Sequence, residues 1–317
     1  MRNLTKLATF AAVLLVVLGA AYFVGQASGI DGLAAADEGH DDDGGDAHTE
    51  AEGDGEPAAD GHAGETHNTG QAGDQAGQPG GLQVTADGYT FEPLSYPTEP
   101  GREEPFEFRI VGPDGTPVTD FTTEHDADLH LIVVNRDLSD YQHVHPALSA
   151  DGTWSVPLTL ESAGVYRAFA DFVPAEAGGG LTLGADLLVA GNYEPSPLPS
   201  PVHTAEVDGY TVELTARLEP GADSPVTLTV SREGEPVTDL EPYLGAYGHL
   251  VALRERDLAY LHVHPDGDPD DPSVPSGPEV GFVTEVPSEA TYRLYFEFQH
   301  QGTVRRAEFT VEASDDH

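Results

Sequence analysis

One unit occurs twice in this chain, and any fold has to place both copies in the same way. The first copy is Gly115 to Pro146, GTPVTDFTTEHDADLHLIVVNRDLSDYQHVHP, and the second is Gly234 to Pro265, GEPVTDLEPYLGAYGHLVALRERDLAYLHVHP. They align without a gap at an offset of 119 residues, with 13 of 32 positions identical. Each copy holds an apolar β-type run that begins with a histidine, a polar turn, and then His-x-His-Pro. The histidines are His130, His143 and His145 in the first copy and His249, His262 and His264 in the second.

The repetition extends well beyond that unit. From Leu82 the chain consists of short β-type runs separated by Gly, Pro and Asp: Thr90–Leu94, Pro105–Val111, Leu129–Asn135, Gln142–His145, Trp154–Leu160, Gly164–Phe172 and Leu181–Val189. Turn residues fall between them, and no helical period appears. After Tyr193–Pro201, where alternating prolines favour a stiff extended connector, the pattern restarts. Asp208-Gly209-Tyr210-Thr211 echoes Asp87-Gly88-Tyr89-Thr90, and the strand Tyr292–Phe298 echoes Tyr166–Phe172. About seven short strands at this spacing predict a β-sandwich. The expected architecture is therefore all-β: two tandem immunoglobulin-like sandwiches, residues 82–192 and 202–313, joined by 193–201. The insertion Asp266–Pro278, rich in Pro, Asp and Gly, reads as a surface loop.

Arg2 and Lys6 precede an uninterrupted apolar stretch, Leu7 to Val24, so residues 1–30 read as a signal anchor or signal peptide. The charge asymmetry directs the C-terminus outward, which places the rest at the membrane or, if the helix is cleaved, in the secreted fraction. Residues 31–81 carry 14 acids and no Lys or Arg. With little apolar surface to offset ordering entropy, they read as a disordered acidic tether. The scattered His40, His48, His62 and His67 there have no ligand spacing and amount at most to a weak metal-gathering tail.

The formal charge is -43. Beyond residue 81 the only bases are 11 arginines, against 42 acids. Such a field disfavours nucleic acid and favours solubility or a cationic partner. The chain has no Cys and its only Met is Met1, which excludes disulfides, thiolate ligands and thioether capture of Cu(I) in the folded part. Any metal ligands here are imidazole and carboxylate.

On a strand, His143 and His145 point to one face, about 7 Å apart at the backbone. If Arg136–Tyr141 forms the connection, Ile132 pairs with His145 and Val134 with His143, and His130 joins their face. The second copy has the same spacing. Three imidazoles on one face suit Cu(II) or Zn(II). Asp126, Asp128, Asp171 and Glu297 are candidate further ligands, although the second copy has Gly245 and Tyr247 where the first has Asp126 and Asp128. Neutral imidazole is the ligating form, so affinity is expected to fall as pH drops through about 6.5. The alternative is a structural or interaction module displayed at the cell surface, its histidines serving only packing. The unmatched His125, His203 and His317 read as exposed, and His300 has no counterpart in the first copy.

No Gly-x-Ser-x-Gly elbow, phosphate loop, His-Glu-x-x-His or dinucleotide fingerprint is present, and apart from Lys6 there is no lysine for Schiff-base chemistry. The expectation is a non-catalytic protein. The segments HLIVVNRDLSDYQHVHP and HLVALRERDLAYLHVHP resemble a motif of bacterial extracytoplasmic proteins of immunoglobulin-like fold. These are the YtkA-like and CopC-like modules that accompany copper or heavy-metal handling. The resemblance implies a seven-stranded sandwich and a copper role, with ligands at His130, His143, His145, His249, His262 and His264. The Met-rich segments of Cu(I)-handling relatives are missing, which points to Cu(II) or Zn(II). The partners expected on this reading are a metal ion and, through the N-terminal helix, the membrane.

Overall fold

A computed structural model describes residues 79–314 apart from 268, 270 and 272. The predicted N-terminal helix, nearly all of the acidic tether and His317 lie outside the described residues. Among the described residues no helix is long and apolar enough to cross a membrane.

All regular structure is β. The first repeat supplies β1 (Thr85–Ala86), β2 (Tyr89–Ser95), β3 (Glu103–Val111), β4 (Phe121–Thr122), β5 (Leu129–Asn135), β6 (Gln142–Val144), β7 (Ala147–Leu148), β8 (Trp154–Thr159), β9 (Gly164–Pro174) and β10 (Leu181–Val189). The second supplies β11 (Thr204–Val207), β12 (Tyr210–Ala216), β13 (Asp223–Arg232), β14 (Glu235–Pro236), β15 (His249–Arg254), β16 (Tyr260–His262), β17 (His264–Asp266), β18 (Glu279–Glu285), β19 (Ala290–His300) and β20 (Thr303–Ala313). In the first repeat, sheet β1-β2-β3-β8-β7 faces sheet β10-β9-β5-β6, with β4 on β9; in the second, β11-β12-β13-β18-β17 faces β16-β15-β19-β20, with β14 on β13. All strand pairs are antiparallel.

Alternation explains the two sandwich cores. Phe106, Phe108 and Ile110 of β3 meet Leu129, Leu131 and Val133 of β5 in the first, and Val226, Leu228 and Val230 meet Leu250 and Ala252 in the second. Each repeat also has a tyrosine tied back to the chain four residues upstream, a signature of immunoglobulin-like sandwiches. Tyr166 Oη accepts from Ser162 N at 2.9 Å, and Tyr292 Oη donates to Ser288 O at 2.9 Å.

β5 and β15 do not alternate between core and solvent; both faces are buried. Ile132 and Val134 turn away from their own sandwich and pack with Leu138, Tyr141 and Phe169 against Val251, Leu253, Leu258, Tyr260 and Tyr295. This third core joins the two repeats. It repeats itself about a pseudo-twofold relation: Tyr141 stacks on Tyr295 at 3.9 Å between ring centroids, while the corresponding Tyr260 and Phe169 lie 5.4 Å apart. Continuous apolar runs such as LIVV are what a strand buried on both faces requires.

The end of the expected tether is structured. Gly80 accepts from Tyr260 N at 3.0 Å, and Gly81 donates to Thr182 O at 2.9 Å. Gly81 sits at φ +73, and a Cβ there would meet the Phe169 ring at 2.4 Å, so only glycine fits. Gly80 and Gly81 thus belong to the folded part, where they complete the contact between repeats.

The expected hairpin register is also corrected. Ile132 pairs with His143 and Val133 with Gln142, two residues from the expected alignment. The connection is shorter because Asp137 Oδ1 accepts from Ser139 N and Ser139 Oγ, while Asn135 N donates to Ser139 O at 2.9 Å. An even shift leaves every side chain on its expected face. The second repeat has the same register, Val251 with His262.

Candidate metal centre

The three histidines of the first repeat converge. β5 carries His130 on the face that looks toward the second repeat, and β6 with the residues after it carries His143 and His145. One nitrogen from each ring lies within 4.8 Å of the other two. His130 Nδ1 is 3.1 Å from His143 Nε2 and 3.1 Å from His145 Nε2. Imidazoles on one tetrahedral ion, with metal–nitrogen bonds of about 2.0–2.1 Å, hold their nitrogens about 3.3 Å apart. The spacing fits.

The outer nitrogens fix the tautomers. His130 Nε2 lies 3.1 Å from Glu124 O, which can only accept, so that nitrogen bears the hydrogen and Nδ1 is bare in the neutral ring. His143 Nδ1 lies 2.8 Å from Glu297 Oε2 and donates to it, which leaves Nε2 bare. With the His143 ring neutral, two lone pairs face each other across 3.1 Å. Such a contact calls for a cation between the nitrogens. Burial, with His143 adjacent, pushes His130 down to about 4, and burial with His143 and His130 nearby pushes His145 down to about 3. The ligating neutral form of these two rings therefore persists well below pH 6.5.

Glu297 belongs to the second repeat, so the environment of the centre comes from both. So does His249, whose ring centroid is 6.1 Å from that of His143 and 6.5 Å from that of His130. Its Nε2 donates to Tyr243 O at 2.8 Å, the counterpart of the bond from His130 to Glu124. Burial, with His143 close by, pushes His249 down to about 3. The backbones of His262 and His264 lie in β16 and β17 as the repeat demands; their side chains are not among those described.

Of the carboxylates, Glu297 reaches the centre through His143. Asp171 stands opposite His130 in the ladder, accepts from Thr182 Oγ1 at 3.0 Å and lies 3.4 Å from the Tyr260 hydroxyl. Asp126 and Asp128 are exposed, and Asp128 accepts from Thr123. His203 is exposed as expected, but His125 is not: it packs 5.8 Å from the His249 ring and 6.2 Å from that of His130. The reason is backbone shape, since His125 and Asp126 both take positive φ and fold the loop over the centre. His300 is buried between the Tyr210 hydroxyl at 2.7 Å and Asp239 at 3.1 Å, a local bracket that the sequence did not signal. The role of Glu297 was legible only as an acid in register with Asp171; its reach into the other repeat was not.

Residues 83–182 and 205–315 each match a family described as a domain of unknown function, DUF8832. The chain belongs to the DUF8832 family. The two matched segments coincide with the two repeats and take in more than half of the chain. No curated protein matches the sequence. Among solved structures, a DUF4426 family protein from Pseudomonas aeruginosa is 10% identical, with a TM-score of 0.28, over 36% of this chain and 98% of its own. The Escherichia coli adhesin FdeC is 11% identical with a TM-score of 0.23, over 73% of this chain and 65% of its own. Invasin, a bacterial integrin-binding protein, is 14% identical with a TM-score of 0.21, over 72% of this chain and 39% of its own. The DUF8832 chain thus spans less than two thirds of the length of FdeC and of invasin. The family description carries no copper role, so of the resemblance expected from sequence only the immunoglobulin-like fold is supported, and any metal role rests on the side chains themselves.

Proposed function

We propose that this DUF8832 protein binds a divalent transition metal ion, copper or zinc, outside the cytoplasm, without performing chemistry on it. The observation that carries the reading is the convergence of His130 Nδ1 and His143 Nε2, 3.1 Å apart, with His145 Nε2 equally close to His130. A proton relieves one such contact; a metal ion can take His130 Nδ1, His143 Nε2 and His145 Nε2 at once. An all-imidazole set without thiolate or thioether matches Zn(II) or Cu(II). The acidic surface adds a field that concentrates divalent cations. The location rests on Arg2, Lys6 and the apolar stretch that follows them. Buffering or delivery of the ion is the role we assign, with one ion for each histidine trio.

The test is calorimetric titration of the full chain with Zn(II) and Cu(II), against a weak competing chelator that silences the scattered tail histidines. His143→Ala should remove one tight site, and His143→Ala with His262→Ala should remove both. Unchanged stoichiometry in the double variant sinks the assignment.

A further inference from the structure

The metal centre lies at the junction of the repeats, and the second repeat grips the hairpin that carries two of its ligands. Three side chains on β19 and β20 do so. Tyr295 donates to Leu138 O at 2.7 Å and stacks on Tyr141. Arg306 donates to Tyr141 O at 2.8 Å, its guanidinium 5.1 Å from the Tyr141 ring centroid. Glu297, paired with Arg306 across the ladder, takes the hydrogen of His143 Nδ1. The hairpin from Leu138 to His143 is thus held at three successive points by the other repeat. The side chains of His143 and Glu297 are only 3% and 10% exposed, and buried polar groups of this kind depend on each other for hydrogen bonding.

We infer that the centre is a clasp: Glu297 of the second repeat holds His143 of the first in its ligating tautomer, so that ion binding and packing between repeats reinforce one another. This rests on reading the trio as a metal centre. A carboxylate on the far nitrogen of a ligating imidazole fixes the ring and raises its basicity. Glu297 is here a positioning residue, since it touches His143 and not the ion. Because binding free energies are reciprocal, whatever tightens the ion also tightens the contact between repeats, and whatever loosens that contact weakens the ion.

The experiment uses the full chain and Zn(II) as probe, read by calorimetry and by hydrogen exchange of the backbone amides. Glu297→Ala is expected to lower affinity at the first centre by roughly 10- to 100-fold. Glu297→Gln keeps an oxygen that can accept from Nδ1 and should fall between wild type and the alanine variant. Tyr295→Phe, which leaves His143 and Glu297 untouched, should still weaken Zn(II) by a few-fold. In the wild type, Zn(II) should slow exchange both in residues 138–143 and in β19. If Glu297→Ala binds like wild type while His143→Ala does not bind, the clasp is wrong and the metal centre stands. If Glu297→Gln is as weak as Glu297→Ala, tautomer holding is wrong. If the wild type binds no Zn(II), the clasp falls together with the metal reading.

Discussion

The two repeats place a histidine at the start of the same strand, in the same register, and tie its Nε2 to the same loop carbonyl, Glu124 O in one and Tyr243 O in the other. That loop keeps its shape while its chemistry changes. The first repeat fills its two positive-φ positions with His125 and Asp126, the second with Leu244 and Gly245. Asp171 and Glu297 stand opposite His130 and His249; Asp171 accepts from Thr182 and lies beside the Tyr260 hydroxyl, and Glu297, one methylene longer, accepts from His143 of the other repeat. Duplication has preserved the backbone that presents imidazoles, and the surroundings of the imidazoles have diverged.

The largest expected effect separates the repeats by metal stoichiometry. His130→Ala should remove one of two tightly bound Zn(II) ions and His249→Ala the other, each with a loss of at least roughly 100-fold at its own site, more than a merely orienting residue would produce. If either substitution removes both ions, the repeats share a single centre and the comparison must be redrawn.

A stability comparison follows. Gly81 and Gly101 have almost the same φ, +73 and +69, but only Gly81 faces a side chain of the contact between repeats. Gly101→Ala should cost about 1 kcal/mol of backbone strain, and Gly81→Ala about 3 kcal/mol once the Phe169 ring must move. Chemical denaturation of both variants measures the difference. Equal costs would mean that the Gly81 contact contributes nothing.

Metal-free stability should depend on pH through His130 and His249, whose folded values of about 4 and about 3 lie below the ordinary 6.5. Above pH 6.5 both are neutral in either state, and their contribution is fully present. Below it the unfolded chain takes up protons first, so stability is lost as pH falls from 6.5 toward about 4, by at most about 1.4 kcal/mol per unit per histidine. Thermal melts in the presence of chelator should show this, with a shallower slope in His249→Ala. A melting temperature flat across that range would show that the rings are not shielded. The smallest effect is Tyr295→Phe in metal-free protein, which leaves the Leu138 carbonyl short of a donor and should cost about 1 kcal/mol.

Much of this was legible in sequence because it is local. The bounds of β5 and β10 follow directly from the apolar runs Leu129–Asn135 and Leu181–Val189. The common face of His130, His143 and His145 follows from strand parity, which the two-residue register error did not disturb. What was missed is nonlocal. The contact between repeats was written in LIVV and LVAL, runs too continuous for a strand with one wet face, but nothing along the chain says which surface covers them. Glu297 is 154 residues from His143, and only the packing of one sandwich on the other makes them neighbours. His125 read as exposed because its shielding comes from His249 and His130, not from its own loop.

The central claim concerns how many imidazoles one ion collects. X-ray absorption at the zinc edge, on the full chain loaded with less than one equivalent of Zn(II), counts them directly. The account predicts three imidazole nitrogens at about 2.0–2.1 Å with the remaining position taken by oxygen; a shell of oxygen with one imidazole or none would contradict it.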